Sequence, residues 1–515
     1  MKMVTTRLLP WLLTVVSVTA CGGSMDRGQG SGGQSRLNGD ATAGDQGGGS
    51  GCDPKDAKCV PSDVGGTVAD GGDTGGTGPS AGGGSAGGNE GLGGFGPGGT
   101  GQYPGHGFVV HEWGTDTIVV GSDGSLQRGL HHEEEDLPAF VYDRLRAGTS
   151  IGAGNPASPS VTIKMETPVA YFYSDKPLSI RAQVSFPQGV LTQWYPGVAS
   201  FLPAIAAPGA AGAGGPLSFA DPALDPSFPF LTETCREHWS TVAGGELNWG
   251  DISVLARGTD VSSMLPAAPL AQFTWDYARA VDANPLVLPN GEAERFLFYR
   301  GLGDFDLPVQ VTQGKGSLIL ANKLQAAIGS VFAINVDAAR GVFTTFPQGI
   351  AAGSELVMSA PSLERGEALD QYQDKLGSAV TSALDATGLY HDEAVAMVNT
   401  WKRQWFRTPG ARLLYVIPQV WTDSSIPLTI QPKPDAVLRV MLIRVEVITP
   451  EQEADDVAAL KVLETTPATG EAYFKGLGRF AEPRLRRALD LYYSKAGLVF
   501  LSTIQGANTS VASGE

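Results

Sequence analysis

The chain reads as an α+β protein. A β-rich, antiparallel, sandwich-like first region (106–350) is followed by a mixed α/β second region (351–505), after a long disordered N-terminal spacer. Three observations predict this. Residues 161–195 alternate apolar and polar side chains, the period of a half-buried strand. Helical periodicity arrives late, with Leu369, Tyr372, Leu376, Val380, Ala383 and Leu384 on one face. Before residue 106 there are almost no large apolar side chains beyond the first twenty positions.

The N-terminus sets the compartment. Lys2 and Arg7 give a positive start, and Leu8 to Val18 is an apolar run too short to span a bilayer as a stable helix. It ends in Val18-Thr19-Ala20-Cys21, which closely resembles the bacterial lipoprotein signal. That resemblance implies cleavage of residues 1–20, a lipid on Cys21 and a membrane anchor outside the cytoplasm. Gly22 and Gly23 supply no early Asp, which points to the outer membrane of the cell envelope. Residues 21–105 are rich in Gly, Ser, Asp, Ala and Thr and cannot bury enough surface to offset their ordering entropy. As a coil this tether reaches roughly 50 Å. Cys52 and Cys59 could close a small loop there in an oxidising compartment. Cys235 reads as a small buried apolar residue. With 36 basic against 53 acidic residues, a net charge of −17, nucleic acid is excluded as the main partner.

The body follows in order. Phe108 to Val120 alternates as a strand, and 121–125 (GSDGS) predicts a hairpin. Residues 137–148 (LPAFVYDRLRAG) predict a short helix, with acids before it and Arg144 and Arg146 at its end. Residues 161–195 predict an antiparallel meander, and 203–230 a Pro- and Ala-rich loop. Strands are expected at 251–256, 270–275, 295–300, 307–312, 317–320, 340–346, 411–419 and 436–448. Further helices are expected at 391–406 and 482–494, and from Thr449, whose spacing to Gln452 is that of a capping box with Pro450 at the first helical position. A tail closes the chain at 506–515. Two echoes, FPQG at 186–189 and 346–349 and FYRGLG/YFKGLG at 298–303 and 473–478, raise the idea of a tandem duplication.

Chemistry concentrates between His106 and Asp136. His111, His131, His132 and Glu133 supply enough imidazole and carboxylate for a zinc site. Neighbours in a strand point to opposite faces, so His111 and Glu112 cannot share one ion, and a third ligand must come from elsewhere, such as Glu166, Glu237 or His238. The competing reading makes His111 a partly buried histidine and the acids a solvated run. Gly148-Thr149-Ser150-Ile151-Gly152 matches G-x-S-x-G but lacks the strand before and helix after that a nucleophile elbow needs. Trp113, Tyr171, Tyr173 and Trp194 cluster in the β-rich half, and such rings on a sheet face would stack on sugars; the alternative is that they serve the core. Arg439, Arg444 and Glu446 read as a fixed ion pair.

Four pieces, VVHEWGT (109–115), KMETPVAYFY (164–173), FYRGLG (298–303) and LLYVIPQVW (413–421), give the body its resemblance to a family of uncharacterised secreted bacterial proteins. That likeness implies an extracytoplasmic body and carries no catalytic residue. The expected function is a lipid-anchored binding or scaffolding module for envelope polysaccharide or protein. The alternative is a metal-dependent hydrolase built on His111 with His131 or His132.

Overall fold

The computed structural model describes residues 103, 105, 107–130, 137–143, 161–203, 243–267, 275–314 and 316–496. They form an α+β fold organised on the strand Phe108–Val120, buried along all 13 residues. This strand lies inside an eleven-stranded sheet. On one side it pairs in parallel with Ala436–Val447, from Val109↔Ala436 to Val120↔Val447. Beyond that follow, antiparallel, Gly410–Ile417, Val331–Val336, Arg340–Phe346 and Glu367–Ala368. On its other side run Val169–Ser174 and Ile163–Met165, then Leu297–Gly303, Gly189–Tyr195 and Tyr142–Asp143. A strand with neighbours on both edges and cover on both faces reads as a nearly continuous apolar run, as Ala436–Val447 does. A parallel neighbour requires a crossover, and here most of the body lies between the two strands.

Both faces of the sheet are covered. The odd-numbered side chains Val109 and Trp113 meet the helices Leu369–Asp385 and His391–Arg407 through Leu376, Val380, Met397 and Trp405. The even-numbered Phe108 and Val110 meet a six-stranded sheet led by Leu178–Phe186 and Gly245–Val254. Ile118 and Val120 meet a three-stranded sheet of Val309–Gly314, Ser317–Asn322 and Glu355–Ser359. The helices Pro450–Thr465, Pro467–Lys475 and Ala481–Ala496 share a small core of their own around Leu460, Phe474 and Leu485. No helix among the described residues is long and apolar enough to cross a membrane.

Four expectations change. The run 161–195 is not a meander: Val169–Ser174 and Gly189–Tyr195 belong to the central sheet, whereas Leu178–Phe186 between them crosses to the second sheet. Its inward Ile180, Ala182, Val184 and Phe186 bury against the central sheet face-on instead of pairing with it edge-on. The expected helix at 137–148 is, over its described part, a turn and the edge strand Tyr142–Asp143, because Tyr142 pairs with Trp194 while Val141 sinks into the core. The boundary at 350/351 cuts through the central sheet, since strands from both sides of it alternate there. The duplication also fails: FYRGLG is a strand, whereas YFKGLG ends one helix and enters a 3₁₀ turn.

The turn 121–125 forms, with the Gly121 N–H bonded to the Ser125 carbonyl at 2.8 Å. It returns only a single bridge, Val120↔Leu126, not a second hairpin strand. Thr449 and Gln452 make the reciprocal capping box. Residues 410–417 and 436–447 are strands. The strands Val331–Val336 and Glu355–Ser359 and the helices Gln419–Ser425 and Pro467–Lys475 are additional. Residues 270–274 of the strand expected at 270–275 lie outside the described part, and Trp275 opens a short helix.

Candidate functional site

Three of the four motifs converge on the middle of the central sheet. In the run His111-Glu112-Trp113-Gly114-Thr115 successive side chains take opposite faces, as strand geometry requires. His111 is 1 % exposed, and its Nδ1 lies 2.8 Å from Glu393 Oε2. The other oxygen of Glu393 accepts the Tyr173 hydroxyl at 2.8 Å, and Oε2 also accepts the Tyr390 N–H at 2.7 Å. One carboxylate in the first turn of helix 391–407 therefore clamps that helix to two strands. The His111 ring lies 4.3 Å from that of Tyr390 and 5.5 Å from that of Tyr173.

Glu112 points the other way. Its Oε2 accepts Arg439 Nε at 2.6 Å and its Oε1 accepts the Tyr299 hydroxyl at 2.5 Å, so the motifs at 109–115 and 298–303 meet here. Burial, then the neighbouring Glu112 charge, raises the Tyr299 pKa well above its usual value and keeps the phenol a donor. Arg439 Nη1 reaches Asp423, which is half exposed, at 3.1 Å. Gly114 is required for close approach: a Cβ there would lie 2.8 Å from Met441 Sδ and 2.9 Å from Pro168 Cα. The Thr115 hydroxyl bonds the Leu442 carbonyl at 2.7 Å.

The METP motif closes the opposite face. Glu166 Oε1 accepts Arg479 Nη1 at 2.5 Å, and its carbonyl accepts Arg300 Nε at 2.5 Å. Burial by itself would raise the Glu166 pKa. The charges of Arg479, Lys164 and Arg300 outweigh that and hold it at about 2. Farther along, Glu446 Oε1 accepts Arg412 Nε at 2.9 Å and Arg444 Nε at 2.6 Å. Here too the arginines overcome burial and lower the carboxyl's pKa. Arg444 and Glu446 form the expected ion pair, whereas Arg439 serves the other face.

The residues expected to bind sugar are interior. Trp113 and Tyr171 are 0 % exposed, Tyr173 1 % and Trp194 4 %. Tyr171 donates its hydroxyl to the Ala278 carbonyl, and Trp194 stacks on Tyr142 and lies tilted against Phe201. These rings therefore offer no sheet-face platform; the apolar area that suits them to stacking also drives them into the core. Of the expected metal ligands, His111 is committed to Glu393 and Glu166 to Arg479. His131, His132, Glu133, Glu237 and His238 lie outside the described residues, as do Ser150, Cys235 and Cys21. Among the described residues, no three His, Cys, Asp or Glu side chains group as a metal site.

A cleft that sequence reasoning missed lies where the central sheet meets the C-terminal helices. It is an open cleft of about 670 Å³. Pro361, Leu363, Pro409, Leu477 and Phe480 give it apolar walls, and Asp337, Glu451, Gln313 and Asn335 give it acceptors. Its lining is drawn from segments up to 365 residues apart, from Val119 to Arg484, so no local motif marks it. No protein-family signature matches the chain, and no curated protein matches it.

Proposed function

We propose that this chain is a lipid-anchored envelope protein whose extracytoplasmic body is a binding or scaffolding module. Cys21 carries the lipid, residues 22–105 form the tether, and the cleft at the end of the central sheet takes the ligand. The cleft supports the binding part of this reading, and Val18-Thr19-Ala20-Cys21 supports the anchor. Of the two ligand classes expected from the sequence, its prolines, Leu363, Leu477 and Phe480 favour a protein segment over a polysaccharide, because the exposed ring faces on which sugars stack are not supplied by Trp113, Tyr171, Tyr173 or Trp194. Its acceptors suit backbone N–H groups and basic side chains.

The test uses the full chain. Ala338 is exposed on the cleft wall, so Ala338→Trp should block capture of envelope-protein peptides without lowering the melting temperature. Peptide capture that ignores this change, or capture of glycan fragments alone, refutes the assignment. A clickable palmitate should label the wild type and not Cys21→Ser; an unlabelled wild type removes the anchor. One observation favours the second reading, a metal-dependent hydrolase. A carboxylate on Nδ1, as Glu393 stands to His111, is the arrangement that orients metal-bound histidines. Stoichiometric zinc in the purified protein, lost in His111→Ala, would move the assignment there.

A further inference from the structure

Asp116 lies midway along the central strand, 1 % exposed, and neither carboxyl oxygen has a hydrogen-bond partner among the described residues. Its charged and titratable neighbours come from four elements. Its own strand gives Glu112, the segment after Ile163–Met165 gives Glu166, and Ala436–Val447 gives Arg439. Gly410–Ile417 gives Tyr415, whose hydroxyl also lacks a partner among the described residues. The three-stranded sheet over the adjoining core contributes apolar side chains, Val311, Leu318 and Leu320. Arg439 is the one cation acting on Asp116 in this set; its Nε and Nη1 serve Glu112 and Asp423, and its buried Nη2 has no hydrogen-bond partner among the described residues. An ionised Asp116 would be an unpartnered buried charge repelled by the Glu166 and Glu112 charges, which favours the neutral acid.

Position makes this consequential. Phe108–Val120 and Ile163–Met165 are joined through just two residue pairs, Asp116↔Met165 and Thr117↔Lys164. The N–H of Glu166 then bonds the Thr115 carbonyl at 2.8 Å. A charge arising at Asp116 acts on a short seam between strands.

We propose that Asp116 is a proton-operated latch: the neutral acid lets the 108–120/163–165 seam close, and loss of its proton loosens that seam. The inference stands on the body and does not depend on the cleft or the lipid. Burial first, then Glu166 and Glu112, push the Asp116 pKa up from 3.8 to about 8 against the opposing pull of Arg439. Between those values the folded chain keeps a proton that the unfolded chain has released. The unfolding constant therefore rises up to about tenfold per pH unit across that window and levels off above it.

Urea unfolding of the full chain, wild type against Asp116→Asn, from about pH 4 to about pH 9 isolates this group, because other titrations cancel in the ratio. The ratio of wild-type to variant unfolding constants should climb by at least about a hundredfold and then flatten. A constant ratio overturns the proposal. Should the variant not fold, carboxyl ¹³C NMR of the aspartate-labelled wild type decides: one aspartate must titrate near about 8, and its absence overturns the assignment. Hydrogen exchange tests the seam itself. The Glu166 amide should lose protection as pH passes about 8 in the wild type and keep it in Asp116→Asn; equal loss in both overturns the latch.

Discussion

Replacing Glu166 by Gln should destabilise the protein by about 3–4 kcal/mol at neutral pH. The figure follows from the shift of the carboxyl from 4.5 to about 2 at roughly 1.4 kcal/mol per unit. Glutamine keeps the shape and mimics the protonated acid, so the variant removes the charge that faces Arg479, Lys164 and Arg300. The sign is set by linkage: a depressed folded-state pKa gives stability that is present above the unfolded value and lost as pH falls through the folded one. The two proteins should therefore differ fully above about pH 5 and converge near about pH 2. Tryptophan fluorescence during urea unfolding, repeated down that range, measures the difference directly. A gap below about 1 kcal/mol at neutral pH would refute the reasoning, because a surface ion pair contributes no more than that. So would a gap that persists unchanged into acid.

Further outcomes follow from the same contacts. Glu393→Ala should cost about 3–5 kcal/mol, since it strands buried His111 and the Tyr173 hydroxyl together; a melting curve within about 1 kcal/mol of wild type would remove the clamp. Gly114→Ala should cost about 1–3 kcal/mol by overpacking against Met441 and the Pro168 backbone, read as a lower urea midpoint at constant m-value. Thr449→Ala should cost about 1 kcal/mol through loss of the capping box, measured in the same way, and an unchanged midpoint would mean that water replaces the cap.

Much of the local structure was legible because it is decided within a few residues. Thr449, Pro450 and Gln452 specify a helix start by themselves, and Gly388, with φ of 103°, stops the helix before it. The opposite facing of His111 and Glu112 needs nothing more than the pleat of a strand. The expected helix at 137–148 fails over its described residues 137–143 for the converse reason: the local pattern there is outweighed by pairing of Tyr142 with Trp194 at the sheet edge. The aromatic residues were misjudged because large ring area suits a sugar platform and a core equally, and sequence does not record which face is covered.

The sequence by itself determined the α+β class, the late helices and the opposed faces of His111 and Glu112. The tertiary structure decided what those side chains do. Glu112 meets Arg439 across 327 residues of chain, His111 meets Glu393 across 282 and Glu166 meets Arg479 across 313. The physical reason is range. Helix caps and strand alternation are set by neighbours along the chain, whereas a buried charge finds its partner through the fold: the parallel pairing of Phe108–Val120 with Ala436–Val447 sets Glu112 beside Arg439, the helix His391–Arg407 brings Glu393 to His111, and the 3₁₀ turn Gly478–Phe480 brings Arg479 to Glu166.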